Sequence, residues 1–271
     1  SLMFANPRMT DAALAQVYDS KYWMSDGAYE RTGKRWRLKS AFVRDRLRVA
    51  AERYHLLETL GIIKRFGKGA SCLEVGSSAG FLLSILKRQG WKVQGVEPTP
   101  LASFAQKIGV PTRRAFFDRD VLKGRMFDLV SLMHVFEHLE DPVGFLKLLK
   151  GSLTSGGLLW LELPDLSCPR IADLTHPHLY VYSGNTISSV LARAGFRTIL
   201  LKSYNSRNAA FQVLHVFAEA GRSSTRPRRD DFRDISRILD DARRLHRRKQ
   251  SYGHGALAQA YDRASVPEGK F

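Results

Sequence analysis

Cysteine is nearly absent: Cys72 and Cys168 are the two in 271 residues. Two thiols make no disulfide framework, and their spacing suits no metal knuckle. A reduced, cytoplasmic setting is the simple expectation. Cys72 falls inside an apolar run and reads as a small core side chain rather than a nucleophile. Long hydrophobic runs are missing too. None approaches the roughly 20 residues that a helical membrane span needs, so no transmembrane segment is expected. Acid is scarce: Lys and Arg number 43 against 26 Asp and Glu, a formal charge of +17. That sign favours acidic partners, whether phosphorylated small molecules, nucleic acid or anionic lipid. It says nothing of the fold.

The charge is unevenly spread. Between Arg31 and Arg53 lie nine Lys/Arg and only Asp45 and Glu52; from Arg222 to Lys249 there are eleven Lys/Arg against five Asp. The middle is closer to balance. The basic residues therefore sit in the flanks, where a solvated face is their default reading. Three parts follow from this change of character: a helical N-terminal cap over 1–67, an α/β domain over 68–220, and a basic C-terminal extension over 221–271 with a helix near Asp230–Lys249. In the cap, Thr10-Asp11 can start one helix, and apolar residues at helical spacing predict a second over Leu38–Leu60.

What the chain does have is a clear centre. Cys72 to Val75 is an apolar run that stops at Gly76, small residues follow to Gly80, and Phe81 opens helical spacing. This reads as strand, tight turn and helix. Glycine at such a turn can take positive φ and leaves no Cβ in a ligand's way. Strands are then predicted at Trp91–Glu97, Val110–Arg114, Asp128–His134, Leu158–Leu163 (after a Gly156-Gly157 turn), Phe196–Lys202 and Phe211–Glu219. Helices are predicted at Leu101–Ile108, from Pro142 and over Asn185–Ala194. The alternation argues for a mostly parallel sheet with helices on both faces, its last two strands a hairpin that adds an antiparallel member.

Open parallel sheets bind ligands at the carboxyl ends of their strands. Glu74 and Gly76 close the first strand of this domain and Glu97 the second. A carboxylate at position 97 suits a ribose diol. The dinucleotide pattern Gly-x-Gly-x-x-Gly fails here, since no glycine stands at 78 or 81. An acid at 74 would repel a pyrophosphate and suits a ligand with a positive group.

Glu74-x-Gly76-x-x-x-Gly80 with an acid ending the next strand resembles the class I S-adenosylmethionine-dependent methyltransferases. The likeness continues through Phe127-Asp128-Leu129-Val130, His134 to Pro142, Leu153 to Pro164, His178 to Ser183 and Leu191 to Phe196, stretches similar to the methyltransferase type 11/12/23 group. Ser78 departs from it, since many members carry glycine there. The resemblance implies a Rossmann-like, mostly parallel seven-stranded α/β sheet, S-adenosyl-L-methionine as cofactor and S-adenosyl-L-homocysteine as product. It implies that Glu74 and Gly76 lie along the methionine moiety, that Gly80 lets the helix approach, and that Ser77, Ser78 and Phe81 are cofactor-binding residues. Glu97 would hold the ribose, Pro98, Thr99, Phe117 and Asp118 would lie near the adenine, and Met133, His134 and Val135 would face the sulfonium. Tyr18 and Tyr22 resemble an aromatic segment that closes over the cofactor.

Methyl transfer needs alignment above all, and a hydroxyl acceptor gains from a base. His138, His134 and His178 are the catalytic candidates, with His176 beside them. His134 and His138 would share a face if a helix has begun by then. There is no HExxH and a third ligand is not evident, so no metal is expected. The expected acceptor is a small molecule, with a hydroxyl on a sugar, glycan-linked or natural-product substrate, anionic or phosphorylated to match the flanks. The alternatives are an RNA methyltransferase using those flanks, although no RNA-binding module is visible, and a non-enzymatic nucleotide or nucleic-acid binder. A homodimer is compatible with the sequence and not demanded by it.

Overall fold

The computed structural model describes residues 3–4, 29–32, 35–122, 124–168, 178–205 and 212–221. The expected Thr10 helix, Tyr18, Tyr22, His176 and the C-terminal helix lie outside those residues.

The N-terminal part is not purely helical. A short strand, β1 (Met3–Phe4), pairs antiparallel with β9 (Tyr180–Val181), and β2 (Tyr29–Thr32) pairs antiparallel with β3 (Arg35–Leu38). Tyr29-Glu30-Arg31-Thr32 and Arg35-Trp36-Arg37-Leu38 carry the aromatic and β-branched residues that favour strands, a signal that the basic charge of the stretch obscures. The long helix α1 (Ser40–Thr59) follows close to its expected span, then the short α2 (Ile62–Phe66).

From Ser71 strands and helices alternate: β4 (Ser71–Val75), α3 (Phe81–Arg88), β5 (Lys92–Val96), α4 (Leu101–Lys107), β6 (Thr112–Arg113), α5 (Arg119–Leu122), β7 (Phe127–Met133), α6 (Pro142–Lys150), β8 (Leu153–Pro164), α7 (Gly184–Arg193), β10 (Phe196–Asn205) and β11 (Gln212–Ala220). The large sheet has the order β10-β11-β8-β7-β4-β5-β6. β11 runs antiparallel to both β8 and β10, and the neighbours from β8 to β6 pair in parallel. Seven strands with helices on both faces is the expected class.

Local chemistry sets the boundaries. Pro142 fixes φ at the first position of α6, and the Asp141 side chain accepts from Gly144 N at 2.9 Å, satisfying one of the free amides of the first turn. Ser183 and Thr186 cap each other's backbone at the start of α7, a reciprocal capping box. One boundary differs from expectation. Gly156-Gly157 does not turn the chain before β8 but lies within it, where the register against β7 shifts between Phe127 and Leu129. An irregularity of this kind lets a strand pass through glycine without ending.

Side chains alternate between two apolar layers. Leu73, Leu132, Leu161 and Val216 pack on one face with Leu146, Leu149 and Ile187 of α6 and α7. Cys72, Leu129, Trp160 and Phe217 pack on the other with Leu82 and Leu86 of α3. Ala50 and Leu57 of α1 join that second layer, so the long N-terminal helix shares the sheet's core. Cys72 is fully buried there, and burial pushes its thiol well above the ordinary value, as a core reading of it predicts.

Candidate active site

β4 sits between β5 and β7, where the strand order reverses. The carboxyl ends of these three strands, with α1 leaning over them, enclose a cavity of about 420 Å³.

The floor is the turn after β4. Gly76 has φ +72°, and a Cβ there would collide with the Val135 side chain. Glycine is thus required twice over, by backbone hand and by the loop after β7. The amides of Gly76 and Ser77 donate to Val96 O at 2.8 and 3.2 Å, tying the turn to β5. Ser78, where the family pattern favours glycine, takes φ 51° and donates its amide to Glu97 Oε2 at 2.8 Å. Thr99 N donates to Glu97 Oε1 at 2.9 Å. Glu97 is buried, and each of its oxygens keeps a lone pair for a further donor.

Glu74 lies beside it. Its side chain lines the cavity at 3% exposure, and Oε2 has no hydrogen-bond partner among the described residues. Burial pushes its carboxyl up to about 8; the nearby Glu162 and Glu97 push the same way and Arg53 opposes them. Among the described residues no cation bonds its Oε2.

A charged network underlies the other wall. Arg53 of α1 reaches Glu162 of β8 with Nε to Oε2 at 2.9 Å and Nη2 to Oε1 at 2.5 Å. His134 stands between two acids, Nε2 3.2 Å from Glu162 Oε1 and Nδ1 3.3 Å from Glu137 Oε1. Burial disfavours the imidazolium, but the hydrogen-bonding and charge of Glu137 and Glu162 outweigh it and raise His134 to about 9. Burial likewise opposes ionisation of Glu162, yet Arg53 and His134 hold that carboxyl well below its ordinary value. His134 has φ 54°, a strained conformation that clusters at functional sites.

Most expected site residues come together. Glu74, Gly76, Ser77, Ser78, Phe81, Glu97, Pro98, Thr99, Phe117, Met133, His134, Val135 and His138 line the cavity. Gly80 is outside the lining, its backbone at φ 75° starting α3. Asp118 is exposed and outside the lining. His178 is also outside it but stacks edge-on against His138, ring centroids 4.8 Å apart. One expectation is corrected: His134 and His138 do not share a helix face. The left-handed turn at His134 precedes a 3-10 helix, Phe136–His138, and sends the two rings to different partners.

Arg53 and Glu162 went unremarked in the sequence. Arg53 reads as one more charge of a basic helix. Its signal is position: Ala50, Arg53 and Leu57 are spaced by three and four, one stripe of α1, and the outer two are buried. Glu162 sits among apolar neighbours in a central strand, a placement an acid takes only when paired. Phe145, which packs on Phe117 at 5.1 Å between ring centroids, reads in the sequence as part of the buried side of the Pro142 helix and not as a cavity residue.

A switch-point cavity between two acid-ended strands, on a seven-stranded sheet with one reversed strand beside its edge, defines the class I S-adenosylmethionine-dependent methyltransferase architecture. A methyltransferase-domain family matches residues 42–201, and the chain belongs to it. Curated relatives include the ubiquinone biosynthesis O-methyltransferases of Methylobacterium sp., 31% identical over 130 residues covering 45% of this chain and 50% of theirs, and of Methylocella silvestris, 28% identical over 160 residues covering 55% and 61%. The chain thus spans between half and two thirds of the length of these relatives. The fold is that of magnesium protoporphyrin IX methyltransferase from Synechocystis PCC 6803, with a TM-score of 0.53, 16% identity, and 77% of this chain and 99% of that one covered. Burkholderia thailandensis 1,6-didemethyltoxoflavin-N1-methyltransferase matches with a TM-score of 0.53 at 15% identity, over 81% and 95%.

Proposed function

We propose that the chain transfers a methyl group from S-adenosyl-L-methionine to a hydroxyl oxygen of a small-molecule acceptor. The observation that carries the cofactor half is Glu74, a buried carboxyl with one oxygen left without a partner among the described residues. Leaving a buried polar group unpaired costs about 1–3 kcal/mol, and the ammonium of the cofactor's amino-acid end would remove that cost. Glu97 offers its two spare lone pairs to the ribose diol. Phe117, Pro98 and Thr99 flank the base, and Met133 and Val135 wall the reacting centre. When bound, the cofactor supplies a methyl on a positively charged sulfur, which leaves as a neutral thioether as the carbon bonds to the acceptor oxygen.

The hydroxyl acceptor is supported by the names of the curated relatives and by the His138–His178 pair at the far end of the site. His134 is held as an imidazolium between its two acids and has no lone pair for a proton; His138 is the residue that acts at the acceptor oxygen. Arg46 on the cavity wall favours an acceptor with an anionic group, on a sugar, glycan-linked or natural-product scaffold. Among the described residues nothing favours RNA.

A thermal-shift series tests the reading. S-adenosylhomocysteine at 100 times its Kd should add about 2.7 kcal/mol of stability, and NAD should add none. His138→Ala should then lower methylation of hydroxyl acceptors without weakening S-adenosylhomocysteine. A shift with NAD alone, or undiminished turnover in His138→Ala, would overturn it.

A further inference from the structure

We propose that Glu137, His138 and His178 form a binding site for a divalent transition-metal ion at the acceptor end of the cavity. Among the described residues these three bring one ligand atom each within 4.8 Å of one another. The fold builds this grouping deliberately. Leu179 N donates to Glu137 O at 2.9 Å, and Tyr180 donates its hydroxyl to Glu140 O at 3.1 Å. These bonds fasten the segment before β9 to the 3-10 turn after β7, which is how a histidine forty residues on meets His138.

A second observation points to an occupant. Glu137 is 0% exposed, and its Oε2 has no hydrogen-bond partner among the described residues. His134 Nδ1 stands 3.3 Å from Oε1 as an ion pair, which leaves Oε2 to another ligand. Tyr182 is buried nearby, and its hydroxyl also lacks a partner. Unpaired buried oxygens are rare in folded proteins and each calls for an unseen ion or water.

Two imidazoles and one carboxylate suit zinc, manganese, iron or cobalt better than calcium or magnesium. Three protein ligands leave open positions, the pattern of a catalytic rather than a structural ion. His134 on the far side of Glu137, and Glu162 behind it, form the outer support that orients a ligating carboxylate. His138 lines the cavity, so an acceptor oxygen entering there could take an open position. A hydroxyl on such an ion becomes acidic enough to release its proton to solvent. In this arrangement His138 acts at the acceptor oxygen through the ion it holds. This role at the acceptor oxygen rests on the methyl-transfer reading above; the ion site itself does not.

The test uses the full chain stripped with a chelator and titrated with Co²⁺ by absorption and with Zn²⁺ by calorimetry. One saturable equivalent is expected, with the visible bands of Co²⁺ on nitrogen ligands. His178→Ala and His138→Ala should each weaken it about tenfold or more, while S-adenosylhomocysteine still raises the melting temperature of both variants, which certifies their folding. Binding that survives in both variants places the ion on other histidines and overturns the proposal. So does the absence of one-to-one binding, in which case an internal water satisfies Glu137. A chain that binds the ion and S-adenosylhomocysteine yet methylates no hydroxyl keeps the ion site and defeats the acceptor reading. Full hydroxyl methylation in chelator defeats the ion's role instead.

Discussion

Arg53 and Glu162 lie 109 residues apart in the chain and meet through two hydrogen bonds, a fork of guanidinium on carboxylate. The pair pins α1 to a central strand and sits beneath the cavity, with Arg53 and Glu162 side chains 16% and 7% exposed. Fork geometry is the form in which such pairs are strongest.

Removing Arg53 leaves Glu162 with His134 as its remaining charged partner. Arg53→Ala should destabilise the chain by about 1–3 kcal/mol, because the buried carboxylate loses both bonds of the fork. Arg53→Lys should fall between, since it restores charge without the fork. Urea unfolding measures both. A loss of only about 0.2–1 kcal/mol, the range of exposed pairs, would contradict this placement.

Glu97 carries a separate expectation. Glu97→Ala should weaken S-adenosylhomocysteine by about 1–3 kcal/mol, roughly 5- to 150-fold, as buried hydroxyls lose their acceptor. Glu97→Gln keeps one carbonyl oxygen and should lose less. Calorimetry decides, and near-equal affinity in Glu97→Ala would rule out the ribose contact.

Glu74 makes stability depend on pH in a defined direction. Its folded value, about 8, lies above its ordinary 4.5, so the folded chain holds this proton where the unfolded chain has lost it. The contribution is fully present below about 4.5 and is lost as pH rises through about 8. Arg53, Glu162 and Glu97 are the ionisable groups that act on it. Glu74→Gln should flatten the fall in melting temperature between these limits. An unchanged slope in the variant would assign it elsewhere.

Ser78 holds a left-handed backbone at φ 51°, which costs a residue with a Cβ roughly 1–2 kcal/mol. Ser78→Gly removes that strain but loosens the unfolded chain by about 0.5–1 kcal/mol. A net gain of up to about 1.5 kcal/mol is expected, read as a rise in melting temperature of a few degrees. A fall would mean that the serine side chain contributes more than its backbone costs.

The sheet was legible because its strands are apolar runs punctuated by glycine and proline, at Gly76, Gly90, Pro98 and Pro164. The cavity floor was legible for a related reason: Glu74, Gly76 and Glu97 stand at or just past strand ends, and Gly80 opens the helix that follows. The hairpin β2–β3 was hidden because four-residue strands laden with arginine show little apolar period. Arg53, Glu137 and Glu162 were hidden as a group because their meaning is mutual. Each is an ordinary polar residue until a fold brings partners from distant segments, and no spacing rule spans 109 residues. The glycine pair in β8 misled because register against a neighbour, not local propensity, decides whether glycine ends a strand.

β11 is nearly the last described segment of the chain, yet it lies between β8 and β10 and shields Trp160 through Phe217, whose rings stack at 5.2 Å. A ribosome therefore delivers β8 with one flank bare, some fifty residues before its cover arrives. Until Gln212–Ala220 emerges, the edge beside Glu162 offers unpaired amides and carbonyls to any passing strand. Nascent chains stalled before Gln212 should be the ones that chaperones hold and proteases find.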